Sequence, residues 1–189
     1  MIKLESRDSK KFYVIPNTIT YMNMFLGTIA IFIGIADNMN NIKIASILIL
    51  IAGITDKLDG YVARKFDSTS RFGKELDSLC DLVSFGMAPA ILWWSMSRGG
   101  LGLVEIAASI SFIGAGIFRL ARFNITKDDG YIIGLPITIA GMIMAVKYIM
   151  DINFRYILIV SNVINYENCI MMIVLSIMMI SEFKIKKPL

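Results

Sequence analysis

Four aspartates occur at spacings that place them in pairs on helix faces. Asp56 and Asp59 are three residues apart, and Asp77 and Asp81 are four apart, so each pair lies on one side of a helix. Both pairs fall in apolar segments, where carboxylates are rare and usually face a polar cavity. The chain has no histidine, so a metal must be bound through oxygen, which favours hard cations such as Mg²⁺, Mn²⁺ or Ca²⁺.

Divalent cations would relieve the repulsion among these carboxylates, and two such ions would balance four negative charges. Metal bound in this way can clamp a pyrophosphate and stabilise the charge that develops during phosphoryl transfer. Gly60 and Gly73 lack side chains and would let a nucleotide approach the helix backbone. Ala63 keeps the same face open, and Arg64 offers a guanidinium to a phosphate.

Each aspartate taken alone has a less specific interpretation. A single D-x-x-D-G sequence is common, and carboxylates inside a membrane segment also serve as cation-transport sites. A transporter would need polar residues that continue across the membrane, and the rest of the second and third predicted spans is apolar. The acids instead gather near one membrane face, which favours an enzyme over a cation transporter.

The composition predicts an all-α, polytopic membrane protein. Of the 189 residues, 56% are hydrophobic and 18% are charged, whereas a typical soluble domain has about 45–50% apolar and about 25% charged residues. A bilayer-spanning helix needs about 20 mostly apolar residues. Six transmembrane helices are predicted on this basis, at residues 17–36, 42–63, 76–96, 101–123, 132–150 and 160–183. Polar residues interrupt the last of them.

The distribution of charge orients these spans. If the N-terminus is cytoplasmic, most of the 19 lysines and arginines lie on the inner side, as the positive-inside rule requires. Both termini and the acidic site are then cytoplasmic in a multi-pass protein of the plasma membrane. The net charge of +4 reflects basic residues that meet anionic lipid head groups, and no nucleic-acid partner is expected.

Two regions follow from this topology. Residues 1–15 mix apolar and basic side chains and predict an amphipathic juxtamembrane helix on the cytoplasmic surface. A frayed basic tail is the alternative for this segment. Residues 16–189 are predicted to form a single membrane domain.

The complete string around the aspartates resembles the signature of the CDP-alcohol phosphatidyltransferase family. Every defining position is filled in Asp56-x-x-Asp59-Gly60-x-x-Ala63-Arg64 and Gly73-x-x-x-Asp77-x-x-x-Asp81. The resemblance implies that the four aspartates bind two divalent cations, Mg²⁺ or Mn²⁺, and that Asp81 is also the general base. It further implies direct attack by the acceptor without a covalent intermediate, and a homodimer.

Further segments resemble the members of this family that use serine as the acceptor. These are residues 16–20, with the pattern P-N-x-x-T, and residues 76–90, 118–124 and 134–136. The resemblance implies transfer of a phosphatidyl group from CDP-diacylglycerol, or a CDP-archaeol-type lipid, to L-serine, with phosphatidylserine and CMP as products. Glycerol-3-phosphate or inositol-phosphate is the alternative acceptor, and its second phosphate would require a denser basic cluster.

Four residues are candidates for binding the acceptor. Arg119 and Arg122 suit a serine carboxylate, because a guanidinium binds a carboxylate through two parallel hydrogen bonds. Their alternative role is to anchor the helix end at lipid phosphates. Asn124 could bind the amino group or a phosphate oxygen. Ser84 either faces the site or bonds to its own helix.

The start of the first predicted span supplies two further candidates for the nucleotide. Asn17 and Thr20 lie one turn apart, although Asn17 would equally suit the N-cap of the helix that follows Pro16. The complete set predicted to bind the nucleotide and its phosphates is Asn17, Thr20, Gly60, Ala63, Arg64 and Gly73.

Overall fold

A computed structural model describes the backbone of residues 7–36, 38–65, 71–97, 102–126, 130–155 and 161–186. Side chains within these ranges are described except those of residues 7–17, 19, 59–65, 71, 154–155, 161–165 and 185–186. Most of the described chain is helical, because its long runs of Ile, Leu, Met and Ala lack internal turn signals.

The α-helices are, in chain order, α1 Arg7–Ile35, α2 Met39–Lys65, α3 Arg71–Asp81, α4 Ala88–Met96, α5 Leu103–Ile125, α6 Ile137–Arg155 and α7 Ser161–Ile180. A π-helical segment, Leu82–Met87, joins α3 to α4 without a break. Two short strands, β1 Tyr131–Ile133 and β2 Lys184–Lys186, pair antiparallel with Ile132 opposite Ile185. Each of the six predicted spans therefore overlaps a helix of the described structure over most of its length.

Two of the described helices are long and apolar enough to cross a bilayer. The continuous run Phe72–Met96 has 67% of its most apolar window buried inside the protein, whereas α5 has 33% buried, so the first is the more central. Thr20–Ile35 and Tyr166–Ile180 are shorter apolar helices. The mostly helical class is confirmed by this architecture, and the number of six transmembrane helices stays a prediction.

The π-helical segment lies at the centre of the helix packing. It contacts α1, α4, α5 and α6, while α1 also packs along α2 and α5 along α7. Phe85, within the segment, is fully buried together with Trp93, Phe112 and Tyr148. π-Helical turns inside α-helices occur frequently at functional sites. Here the turn begins directly after Asp81.

The approach of α1 to the π-helical segment depends on a glycine. A Cβ atom placed on Gly27 would lie 2.3 Å from the Oγ of Ser84 and 2.7 Å from its Cα. No real side chain tolerates such distances, so only a residue without one allows the two helices to touch here. The position of Ser84 relative to α1 is set by this contact.

The two-stranded ribbon departs from the all-α prediction. The fifth span was expected to begin at residue 132, but β1 occupies Tyr131–Ile133 and α6 begins only at Ile137. Gly134 has a φ of +67°, and a Cβ there would lie 2.6 Å from the carbonyl oxygen of Met179. Pro136 follows, and its fixed φ suits the start of a helix. A short apolar run before these residues cannot be assigned to helix or strand by periodicity alone, which explains the error.

The first helix begins earlier than the predicted first span, and the last helix ends earlier than the predicted last span. At the N-terminal end α1 continues through Pro16, so no helix break separates the predicted surface segment from the first span. Residues 1–6 and the side chains of residues 7–17 lie outside the described part, and the surface segment stays a prediction. At the other end α7 stops at Ile180, three residues before the predicted limit.

Polar residues within α7 are accommodated by pairing with α6. The buried Asn168 amide donates to Asp151 at 3.0 Å, and the Lys147 ammonium contacts both Asp151 and Glu167. These pairings explain how α7 stays helical across a polar stretch, since buried polar groups are tolerated when they are hydrogen-bonded.

Candidate active site

Three aspartates from two helices meet at one point. One carboxylate oxygen from each of Asp56, Asp77 and Asp81 lies within 4.8 Å of the other two. Asp81 is buried, with 6% of its surface exposed, and the other two are half-buried. Helix α1 packs against both α2 and α3 and so holds the two acidic faces beside each other. We call these three residues the acidic cluster.

The remaining residues of the predicted signature follow Asp56 along α2. The helix continues to Lys65, so Asp59 lies one turn beyond Asp56 in the backbone. Its side chain, with those of Asn17, Ala63 and Arg64 and the surroundings of Gly60, lies outside the described residues. Thr20 is buried on α1, and Gly73 precedes Asp77 by one turn of α3.

Arg119 is a buried cation beside the acidic cluster. It lies on α5, has 8% of its surface exposed, and is attracted electrostatically to Asp81, Asp56 and Asp77 in that order. Its guanidinium carbon lies 5.4 Å from the centre of the Phe123 ring. Its Nε atom has no hydrogen-bond partner among the described residues. This N–H group is therefore a buried donor that no described residue satisfies.

Arg122, one turn further along α5, serves a different part of the molecule. Its guanidinium donates to the backbone carbonyls of Met179, Ile180 and Ser181 at 2.8–3.1 Å, and to that of Ile133 at 3.4 Å. These contacts satisfy carbonyls at the C-terminal end of α7, where an α-helix leaves its last carbonyls without partners. The structure thus brings Arg119 to the cluster and commits Arg122 to the end of α7.

Asn124 joins α5 to α3. Its amide donates to the Glu75 carboxylate at 3.0 Å and to the Ser78 hydroxyl at 3.0 Å. Lys74 adds to the same junction, because its ammonium donates to the carbonyls of Phe123 and Asn124 at 3.1 and 3.2 Å. The predicted acceptor residue is therefore held in a network that fixes the start of α3 against the end of α5.

Ser84 was expected either to face the site or to donate to a carbonyl of its own helix. Its hydroxyl instead donates to another helix, to the backbone carbonyl of Asn23 on α1 at 3.1 Å, and the residue is fully buried. The bond lies one turn beyond Asp81, so it helps to hold the acidic end of α3 against α1.

Two residues that contact the acidic cluster were missed by sequence reasoning. The Thr138 hydroxyl donates to Asp56 Oδ2 at 3.1 Å, and the Asn23 amide donates to Asp81 Oδ1 at 3.1 Å. Both are buried. A signal was present for each of them: Asn23 is a polar residue inside an apolar span, and Thr138 follows Gly134-Leu135-Pro136 by two positions.

The donor set of the acidic cluster fits a hard divalent cation. It consists of carboxylate oxygens only, which is the ligand type that Mg²⁺ and Mn²⁺ prefer. Three half-buried or buried carboxylates this close together repel one another unless positive charge is supplied. Arg119 supplies one such charge, which leaves the cluster acidic overall.

Comparison with known proteins identifies the family. The profile of the CDP-alcohol phosphatidyltransferase family matches residues 13–181, which is most of the chain. The chain therefore belongs to the CDP-alcohol phosphatidyltransferase family, a membrane-associated family that is generally dependent on divalent cations.

Individual relatives carry more specific names. The chain is 38% identical over 178 residues to the CDP-diacylglycerol–serine O-phosphatidyltransferase of Methanocaldococcus jannaschii, covering 94% of this chain and 76% of the relative. It is 36% identical over 147 residues to the protein of the same name from Helicobacter pylori, covering 76% and 61%. An archaetidylserine synthase of Methanothermobacter thermautotrophicus is 37% identical over 144 residues, covering 73% and 59%. The chain thus spans about three-fifths of the length of some of these relatives.

Proposed function

We propose that this protein transfers the phosphatidyl group of CDP-diacylglycerol, or of a CDP-archaeol-type lipid, to L-serine, giving phosphatidylserine and CMP. The observation that carries the proposal is the meeting of Asp56, Asp77 and Asp81 within 4.8 Å, inside the family signature. The choice of serine is supported by the names of the relatives, which act on serine or make archaetidylserine.

The acidic residues are proposed to hold the cofactor. Asp56, Asp59, Asp77 and Asp81 would bind two divalent cations, Mg²⁺ or Mn²⁺, through carboxylate oxygens. When bound, these ions supply positive charge that neutralises the pyrophosphate of the lipid substrate and the charge on the departing CMP. The nucleotide and its phosphates would lie along Asn17, Thr20, Gly60, Ala63, Arg64 and Gly73.

Asp81 is proposed to act as the general base. Its carboxylate would accept the proton of the serine hydroxyl as the hydroxyl oxygen forms a bond to the phosphorus atom on the lipid side of the pyrophosphate. The bond from that phosphorus to the bridging oxygen breaks, and CMP leaves with the electron pair. No covalent intermediate between lipid and protein is needed.

Arg119 is proposed to bind the serine carboxylate. It is buried beside the acidic cluster, and its Nε atom has no partner among the described residues. A guanidinium held in this position can bind a carboxylate through two hydrogen bonds. Arg122, Asn124 and Ser84, the other residues predicted to bind the acceptor, would support the site indirectly, by holding α5 against α7 and α3 and the π-helical segment against α1.

The surroundings of the site are proposed to be a bilayer. On α5 and α7 large apolar side chains point outward, with Leu103 86%, Ile110 65% and Ile177 63% exposed. Such a surface suits lipid better than water. We propose a six-span protein of the plasma membrane, consisting of a surface segment at residues 1–15 and a membrane domain at residues 16–189. In this arrangement the active site and both termini are cytoplasmic, and two copies form a homodimer.

The decisive experiment measures CMP release by the purified protein in detergent with CDP-diacylglycerol and a panel of acceptors. We expect release with L-serine, its loss on addition of EDTA, and its return with excess Mn²⁺ or Mg²⁺. Faster release with glycerol-3-phosphate or inositol-phosphate would assign a different acceptor. No release with any acceptor, together with cation flux into proteoliposomes, would overturn the proposed enzyme in favour of a transporter.

A further inference from the structure

Asn23 is a residue of α1 whose side chain contacts the acidic cluster. Its side chain is completely buried, and its Nδ2 lies 3.1 Å from Oδ1 of Asp81, a residue 58 positions away on α3. The described contacts of Asn23 lie on the side of α1 that packs against α3 and the π-helical segment. A polar side chain in this apolar stretch therefore has a defined partner.

The backbone of Asn23 is fixed as well as its side chain. The Ser84 hydroxyl donates to the Asn23 carbonyl at 3.1 Å, and one turn along α1 Gly27 touches Ser84 with no room for a side chain between them. Both contacts are made at Ser84, three residues after Asp81 in the π-helical segment. Asn23 is consequently a rigid support, because neither α1 nor its amide can shift without breaking a buried hydrogen bond.

The orientation of the amide follows from the chemistry of its partner. An ionised carboxylate only accepts hydrogen bonds, so the NH₂ end of the amide must face Asp81. The other end, Oδ1, is buried and has no hydrogen-bond partner among the described residues. A buried oxygen in this state is unfavourable, and an aliphatic side chain of the same size would avoid the penalty. The bond to Asp81 is the feature that an aliphatic side chain could not provide.

We propose that Asn23 is a positioning residue for the reaction: it holds the Asp81 carboxylate in the rotation that directs it toward the acidic cluster and the acceptor hydroxyl. The inference rests on the proposed function for the role of Asp81, but the contact itself is independent of that role. A simpler possibility is that Asn23 only strengthens the packing of α1 against α3, as polar side chains do between membrane helices. The two possibilities differ in which measured quantity changes.

The test compares Asn23→Leu with a matched control, Ser95→Ala. The Ser95 hydroxyl donates to the Gly34 carbonyl, so this control removes another buried hydrogen bond between α1 and a neighbouring helix, away from Asp81. For Asn23→Leu we expect kcat to fall about 10- to 100-fold, as for other groups that orient a metal-binding side chain. The KM for the CDP-lipid should change less than threefold, and the melting temperature in detergent should match that of Ser95→Ala.

A second readout does not need turnover. Binding of Mn²⁺ to the purified protein, followed by the electron paramagnetic resonance signal of free Mn²⁺, should weaken in Asn23→Leu. In the Asp81→Ala background the same substitution should have no further effect, because Asn23 acts through Asp81. An equal effect in both backgrounds would mean that Asn23 supports the fold in general and would overturn the proposal.

The outcomes separate this inference from the proposed function. If the wild type releases CMP and Asn23→Leu behaves as Ser95→Ala does, the positioning role is wrong and the proposed function stands. If the wild type releases no CMP, the proposed function is wrong, and the Mn²⁺ cycle alone decides whether Asn23 orients Asp81. Asn23→Ser, with a smaller side chain, serves if leucine prevents folding, and loss of folded protein in both variants would establish a purely structural role.

Discussion

The guanidinium of Arg122 donates a 2.8 Å hydrogen bond to the backbone carbonyl of Ile180, the last residue of α7. Three further carbonyls, of Ile133, Met179 and Ser181, surround the same guanidinium. Gly134 packs into this junction, where a side chain would meet Arg122 Nη2 at 2.8 Å. One side chain therefore joins α5, the strand before α6 and the end of α7.

Replacing Arg122 should therefore destabilise the protein. Hydrogen bonds from charged groups contribute about 1.5–3 kcal/mol each, so we expect Arg122→Gln to lower the melting temperature in detergent by about 5 °C or more. Arg122→Lys should recover little of this, since an ammonium cannot span carbonyls arranged for a planar fork. Lys43→Gln is the matched control, because it removes an exposed bond to Asn153. If Arg122→Gln left the melting temperature unchanged and raised the KM for serine, Arg122 would instead be a residue that binds the acceptor.

Replacing Arg119 should weaken the binding of serine, whereas replacing Arg122 should lower stability. We expect Arg119→Lys to raise the KM for serine about 10- to 100-fold, because it loses the second hydrogen bond to the carboxylate. The KM for the CDP-lipid should change much less. Steady-state kinetics of CMP release, with each substrate varied in turn, measures both constants. Equal changes in the two KM values would contradict a carboxylate-binding role and indicate that Arg119 supports the acidic cluster as a whole.

The Thr138 hydroxyl should support catalysis through Asp56. Thr138→Val keeps the shape of the side chain and removes the donor to Asp56 Oδ2, so kcat/KM should fall about 10-fold. Thr138→Ser retains the hydroxyl and should keep most of the activity. Thermal melting of both variants provides the control for stability. The role in catalysis would be refuted if valine and serine gave the same kcat/KM.

Asp81→Asn should abolish turnover while leaving binding of the CDP-lipid largely intact. The asparagine cannot accept a proton, and loss of a general base lowers rates by about 10²- to 10⁴-fold. Binding is measured by displacement of a fluorescent CDP-lipid from the purified variant, and turnover by release of CMP. Retained turnover would exclude Asp81 as the base. If Asp81→Asn lost lipid binding but kept the rate of the chemical step, Asp81 would be assigned to substrate binding alone.

Much of the fold follows from the sequence because it depends on local composition. Apolar runs of about 20 residues predict helices irrespective of their neighbours, and each of the predicted segments is helical apart from its ends. The ribbon of β1 and β2 was not predictable in this way, since β1 has its partner more than 50 residues away, beyond two helices. Pairing over such a separation leaves no periodic trace in either segment.

In the candidate site, too, local helix geometry was predictable from the sequence and contacts between helices were not. The spacing of Asp77 and Asp81 in the sequence already placed both carboxylates on one face of α3, because helix geometry fixes the direction of side chains four residues apart. Sequence spacing could not distinguish Arg119 from Arg122, which lie one turn apart on α5. Only the packing of α7 against α5 shows that one guanidinium faces the acidic cluster and the other binds helix-end carbonyls. Asn23 and Thr138 reach the cluster from α1 and α6, and contacts between distant segments are decided by tertiary structure alone.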